Sequence, residues 1–272
     1  MVTKYSFVRS ALFVPGDRPE RFEKALATGA DVVIVDFEDA VEDALKAKAR
    51  ENLRHFLSSN PDVEVVVRVN GSDHPEHQAD VAFCAGAAQV RAVILPKAQS
   101  RTQVEHVGKQ GLLVWPLIET VQGVEALAEI AGAKNVERLT YGALDFGVEL
   151  GMKSGTAAAN RMLDQVRFRL LTHSVSAGLA RPLETVFADI AAKDKLAEFA
   201  QDALNMGFEG MLCIHPKQVA VVNEAFSPTQ DELAWAARVL EASLGAAGAF
   251  RFEGKMIDAP VLAYARRLIG VS

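Results

Sequence analysis

Carboxylates and one guanidinium stand at the ends of apolar runs in this chain. Glu119 follows VWPLI, Asp145 follows YGAL, Arg68 and Asn70 belong to VRVN, and Asp36, Glu38 and Asp39 make the string DFED. Two facing carboxylates without a counter-ion repel, and one of them then stays protonated. A hard divalent cation relieves that repulsion, and magnesium takes one or two protein carboxylates together with water and substrate oxygens. Glu119 and Asp145 are therefore a candidate metal pair; the alternative is two strand-end acids salt-bridged to Arg68 or Lys97. In DFED, Asp36 and Glu38 share one side of an extended strand, whereas Asp39 opens the following loop. Glu38 and Asp39 are expected to shape the water shell or to hold Arg68, with at least one of the three acids purely structural.

The elements that must position these groups follow from the hydrophobic pattern. Eight short runs are rich in Val, Ile, Leu and Phe: ALFVP (11–15), VVIVDFE (32–38), VEVVVRVN (63–70), RAVILPK (91–97), LLVWPLIE (112–119), RLTYGALD (138–145), LETVFAD (183–189) and GMLCIHP (210–216). Most are nearly continuous, as strands covered on both faces are. Between them lie amphipathic stretches such as RPERFEKALATG, VEDALKAKARENLRHFL and VEALAEIAGA, the first ending on a capping Gly29. This alternation predicts an α/β fold, a (β/α)8 TIM barrel over residues 1–226; an open doubly wound sheet uses the same units. A barrel gathers the C-terminal strand ends into one pocket. Here those ends carry Asp36, Glu38 and Asp39, then Arg68 and Asn70, Lys97, Glu119, Asp145, Asp189 and His215.

Residues 227–272 read as a C-terminal helical extension: one helix over 228–244, a link GAAGAF, and a second helix closing GKMIDAPVLAYARRLIG. The link lets this segment lie over its own barrel mouth or on a neighbouring subunit. Asp258 lies in it, two residues before Pro260, which suits a helix start.

With 272 residues, half of them hydrophobic, the chain can bury a large core. The balance of 29 basic against 35 acidic residues, a net of −6, argues against bulk attraction to nucleic acid or an anionic membrane. No segment reaches the roughly 20 apolar residues that span a bilayer, and no secretion signal is recognisable, so a cytoplasmic location is expected. Cys84 and Cys213, the two cysteines, sit in apolar surroundings and are expected to be buried thiols.

Other polar groups carry less. His74 and His77 have HxxH spacing, but in a loop without further zinc-type ligands, and a solvated loop is the expectation. Arg161, Arg167 and Arg169 are expected on a solvated helix face, and His215 is expected to hydrogen-bond a loop. The signatures of phosphate-binding loops, dinucleotide folds and serine hydrolases are absent.

Taken in order, RSALFVPGDRPERFEKAL, VDFEDAV with KAKAR, VRVN, ILPK, LIETVQGV, YGALDFGVELG, GFEGMLCIHPKQV and GKMIDAP resemble the citrate lyase beta-subunit-like family, of the HpcH/HpaI aldolase/citrate lyase superfamily. The resemblance runs from about residue 9 to about residue 266. It implies a (β/α)8 barrel, a homotrimer or a multiple of one, and a magnesium-dependent (Mg2+) carbon–carbon lyase. The substrate class it implies is an acyl-CoA thioester such as malyl-, citramalyl- or citryl-CoA, cleaved to acetyl-CoA and a 2-keto acid. Carried over residue by residue, the metal ligands fall on Glu119 and Asp145, with Gly142 and Ala143 beside them in substrate binding, and the keto-acid clamp falls on Arg68. The acid/base residue falls on Asp258 of MIDAP, an ending like that of stand-alone coenzyme A enzymes rather than a subunit of a citrate lyase complex. A coenzyme-A-independent pyruvate-type aldolase and a non-catalytic barrel subunit are the competing readings.

Overall fold

The computed structural model describes residues 7–246 and 248–270. Eight parallel strands close into a barrel in sequence order: β1 (Ser10–Pro15), β2 (Val32–Asp36), β3 (Val65–Arg68), β4 (Val90–Leu95), β5 (Leu113–Ile118), β6 (Thr140–Tyr141), β7 (Leu183–Glu184) and β8 (Gly210–Cys213). Pairing of β1 with β8, Ser10 opposite Met211, closes the ring and excludes the open doubly wound sheet. The chain divides after Phe226 into two compact units.

Alternation along the strands sorts the core into two sets. Ala11, Val32, Ile34, Val66, Ile94, Trp115 and Leu117 form one buried cluster in the barrel interior. Leu12, Val33, Val35, Val67, Val93 and Ile118, their neighbours in sequence, join a larger cluster with helix residues such as Leu53, Val104 and Leu170. Side chains two residues apart share a face of a strand. The interior rows Ile34, Val66 and Leu117 therefore continue into Asp36, Arg68 and Glu119, which form a polar layer above the apolar one.

Two strands are shorter than the pattern suggests. After Tyr141, the Gly142 N–H donates to the Ile118 carbonyl (3.0 Å), and the chain then coils into the helix Ala143–Glu149. Asp145 thus sits in the first turn of a helix and not at the end of a strand over 138–145. With β6 ending at Tyr141, β7 has no ladder partner on that side beyond Leu183, and Asp189 lies exposed in the connection, its Oδ1 accepting the Ala191 N–H (3.0 Å).

The second unit contains the helices Gln230–Ser243 and Ala259–Leu268 around Ala236, Val239, Ile257 and Ala265. It is not wholly helical, because an antiparallel hairpin of β9 (Phe250–Phe252) and β10 (Lys255–Ile257) separates the helices. Glu253 and Gly254 turn it with φ of +48° and +81°, the paired left-handed conformation that tight hairpins require. Among the described residues no helix is long and apolar enough to cross a membrane.

Barrel closure depends on close backbone approach at Gly210. A Cβ there would lie 1.9 Å from the Val8 carbonyl oxygen and 2.4 Å from that of Arg9, so β8 could not stay in register with β1. Gly210→Ala is expected to lower unfolding stability by about 4 kcal/mol or more. Urea unfolding followed by circular dichroism measures this; a loss under about 1 kcal/mol would show that closure tolerates the methyl group.

Candidate functional site

The polar layer is organised around Arg68. Its Nε and Nη2 donate to the two oxygens of Asp36 (2.7 and 2.6 Å), its Nη1 lies 2.9 Å from Glu38 and 3.5 Å from Asp39, and the guanidinium stacks 5.0 Å from the Phe13 ring centroid. Asp36, opposite Arg68 in the β2–β3 register, also accepts the N–H groups of Glu38 and Ala40 (3.0 and 3.1 Å), shaping the turn after β2. Lys46, buried at the start of the helix Lys46–Ser59, donates to the carbonyls of Phe37 and Glu38 (3.1 and 3.0 Å) and ties the same turn from behind. All three acids of DFED therefore engage Arg68, and its bidentate fork faces Asp36 rather than standing free. A guanidinium has five N–H donors; two are taken by Asp36, and Nη1 is shared between Glu38 and Asp39.

Lys97 links this group to Glu119. The Lys97 Nζ donates to Glu38 Oε1 (2.8 Å) and lies 3.9 Å from Glu119 Oε1, while the Lys97 backbone N–H donates to that same Glu119 oxygen (2.9 Å). Burial alone would lower the Lys97 pKa, but the hydrogen bond and charge of Glu38 outweigh it and raise it. Glu38 is raised as well, by its burial, against the opposing charge of Arg68 and the hydrogen bond of Lys97.

Glu119 is 2% exposed. Burial, and after it the charges of Glu38 and Asp145, push its pKa up to about 8, with Lys97 only partly opposing. Its carboxylate lies against Gly142, where a Cβ would come within 2.5 Å of Oε2. Asp145, exposed in the helix that Gly142 starts, stands near enough for its charge to act on Glu119. Among the described residues no three or more His, Cys, Asp or Glu side chains form a cage ready for a metal ion. Two carboxylates with acidic company do not suit zinc, which takes three or four protein ligands. They do suit a hard cation that takes one or two carboxylates and fills its shell with water and substrate oxygens. A carboxyl held above its ordinary pKa by burial and by neighbouring acids is short of positive charge, as such a site requires.

Other sequence candidates lie elsewhere. Asn70 donates through its backbone and side chain to the buried Asp80 (2.9 and 2.6 Å), which Arg50 also holds (2.7 Å). His77 is buried at the start of the helix His77–Gly86 with Nδ1 2.7 Å from the Asn70 carbonyl, contrary to a solvated loop, while His74 lies 3.4 Å from Asp43. His215 caps the helix Pro216–Ala225 by accepting the Lys217 N–H (3.2 Å). Both cysteines are buried. Asp258 belongs to the second unit, where its carboxylate caps the helix Ala259–Leu268 by accepting the Val261 N–H (3.3 Å). Arg167 corrects the expectation of a solvated arginine face: it is buried on the helix Ala157–Ser176 and paired with Glu184 (3.0 Å), though Arg161 and Arg169 are exposed.

The raised pKa of Glu119 has a thermodynamic consequence. In metal-free protein at low pH the carboxyl is protonated in both folded and unfolded chains, so Glu119 and its neutral isostere glutamine behave alike. As pH rises past 4.5 the unfolded chain ionises first, and folding stability falls until the folded group ionises near about 8. Glu119→Gln should therefore match the parent at acid pH and become progressively more stable than it up to about pH 8, where the gap levels off. Urea unfolding in chelator across this range provides the check; a gap that stays constant with pH would contradict the raised pKa.

The profile of the HpcH/HpaI aldolase/citrate lyase family matches residues 9–216. A citrate lyase subunit beta-like protein of Mycobacterium tuberculosis is 41% identical over 262 residues, covering 95% of this chain and 93% of its own. A (3S)-malyl-CoA thioesterase of Cereibacter sphaeroides is 31% identical, covering 92% and 89%. The crystal structure of CitE from M. tuberculosis with magnesium, acetoacetate and coenzyme A superposes with a TM-score of 0.85 at 39% identity, covering 97% of this chain and 98% of that one. The barrel, its polar layer and these matches agree: the chain belongs to the HpcH/HpaI aldolase/citrate lyase family.

Proposed function

We propose that this chain is a magnesium-dependent carbon–carbon lyase of 3-hydroxyacyl-CoA thioesters, releasing acetyl-CoA and a 2-keto acid. The observation that carries this reading is Glu119, buried against Gly142, with its ionisation opposed by that burial and by the charges of Glu38 and Asp145. The relative crystallised with magnesium, acetoacetate and coenzyme A, and the relative named for a malyl-CoA thioester, support the ligand class.

In this reading Glu119 and Asp145 hold magnesium, which supplies Lewis-acid polarisation of the substrate's oxygens. Gly142 and Ala143 lie beside the acyl group. Arg68, anchored through Asp36, Glu38 and Asp39, meets the keto-acid carboxylate in a charge-assisted contact and so fixes which bond lies in line for cleavage. Lys97 holds Glu119 and Glu38 in register with one another. As the bond breaks, the substrate's 3-hydroxyl gives up its proton to water and becomes the keto group, and the C–C electron pair leaves as the enolate of acetyl-CoA; Asp258 is assigned as the acid that protonates that enolate carbon, and in reverse as the base that removes the methyl proton. A homotrimer is the assembly that the resemblance favours.

Purified protein with magnesium and malyl-, citramalyl- or citryl-CoA should release acetyl-CoA with glyoxylate, pyruvate or oxaloacetate. Glu119→Gln and Asp145→Asn should each lower turnover by roughly a thousandfold or more while keeping the folded circular dichroism spectrum. Near-parental turnover in either variant at limiting magnesium would remove that residue from the metal pair. Asp258→Asn should abolish turnover and spare magnesium binding. Reassembling it with Glu119→Gln chains restores activity if the active site is shared between subunits, and restores none if Asp258 serves its own chain.

A further inference from the structure

Behind the barrel wall, between β6, β7 and the helix Ala157–Ser176, lies a buried polar cluster with no place in the chemistry above. Tyr141 and Glu184 are both fully buried, and the Tyr141 hydroxyl donates to Glu184. Arg167 donates to Glu184 through Nε (3.0 Å) and Nη2 (3.1 Å) and stacks 5.7 Å from the Tyr141 ring centroid. Glu184 also accepts the Thr185 N–H (3.2 Å), and the Thr185 hydroxyl in turn accepts the Ala143 N–H (3.1 Å). Burial, with the charge of Glu184, raises the Tyr141 pKa well above its ordinary value, so its hydroxyl stays a donor.

Placement in the chain gives the cluster its meaning. Tyr141 immediately precedes Gly142, whose backbone touches the Glu119 carboxylate, and Ala143 begins the helix that carries Asp145. The two proposed cation ligands therefore meet across a segment, residues 141–143, that is held at one end by Tyr141 on Glu184 and at the other by Ala143 on Thr185. Burying an arginine and a glutamate is unfavourable unless each is fully hydrogen-bonded, and packing alone would be served by apolar side chains.

We propose that Tyr141, Arg167, Glu184 and Thr185 form a positioning unit that fixes the Gly142–Asp145 segment against Glu119 and thereby sets the affinity of this pair for a divalent cation. The proposal rests on the assignment of Glu119 and Asp145 as the cation pair. None of the four touches the reacting atoms; they act through the segment they hold.

The experiment measures manganese binding to chelator-stripped full-length protein by electron paramagnetic resonance, beside urea stability in chelator. Tyr141→Phe removes one hydroxyl and keeps the ring; Thr185→Val removes the acceptor of the Ala143 N–H, and Thr185→Ser restores it. Outer-shell partners of metal sites change metal affinity by roughly 10- to 100-fold, so Tyr141→Phe, Glu184→Gln and Thr185→Val should weaken manganese binding roughly tenfold or more, with Thr185→Ser within about twofold of the parent. Val166→Ala, a core change on the same helix, should lower stability and leave the manganese constant where it was. Unchanged manganese binding in Tyr141→Phe and Thr185→Val, with binding lost in Glu119→Gln, would overturn the proposal and leave the cation site standing. Parental binding in Glu119→Gln would instead overturn the cation site, and this proposal with it. Should Glu184→Gln fail to fold, Tyr141→Phe and the Thr185 pair decide alone.

Discussion

Glu119 is almost wholly withdrawn from water, with Glu38 and Asp145 as charged neighbours, and its pKa stands near about 8 in consequence. Such a carboxyl has two stable conditions: protonated, or ionised beside added positive charge. The surroundings supply only part of that charge. Asp36, Glu38, Asp39 and Glu119 face Arg68 and Lys97, four acids against two bases, and Asp145 adds a further negative charge beside Glu119. Arg68 is directed mainly at Asp36 and Lys97 mainly at Glu38, so Glu119 receives little of either. The deficit is local, electrostatic and confined to the C-terminal end of the barrel.

The same deficit explains why the site is assembled from so many elements. A side chain from β3 balances three from β2 and its following loop, a lysine after β4 reaches back to the loop after β2 and forward to the end of β5, and a glycine after β6 fits under the carboxylate that follows β5. Each contact crosses a strand boundary, so the spacing of the groups is set by barrel closure rather than by any one loop. Closure depends on Gly210, far along the chain, where β8 meets β1 by a backbone approach that no side chain would permit. Fold and site are linked in that sense: loss of register between two strands that carry none of the candidate ligands would move all of them.

Much of this was legible in the sequence. Period-two alternation in VVIVDFE and VVVR carries the interior row into Asp36 and Arg68, and near-continuous apolar runs marked the strands as covered on both faces. Glu119 was visible for the same reason, two residues past Leu117. Asp145 was found for its type but misplaced: YGALD looks strand-like, yet Gly142 turns the chain and the helix begins at once. Arg167 was missed because a helix of mixed polarity does not announce which of its arginines faces the wall; only the presence of Glu184 at the back of β7 decides it. Charge partners distant in sequence are the class of information that local patterning lacks. The hairpin in the second unit was missed because its strands have three residues each, and the turn that makes them, Glu253-Gly254, departs from the usual Asn-Gly.

Lys97 shows how the backbone itself is drawn into this arrangement. It follows Pro96 at φ +49°, a left-handed conformation that costs a residue with a Cβ about 1 kcal/mol or more. In that conformation its N–H donates to Glu119 while its side chain reaches Glu38. Glycine would adopt the same backbone without strain and would keep the N–H donor, but it would remove the ammonium that balances Glu38. The requirement for both functions at one position excludes the residue that local conformation prefers. Strain held in place by two hydrogen bonds, at the point where one residue bridges two acidic side chains, is what a preorganised site demands of its backbone.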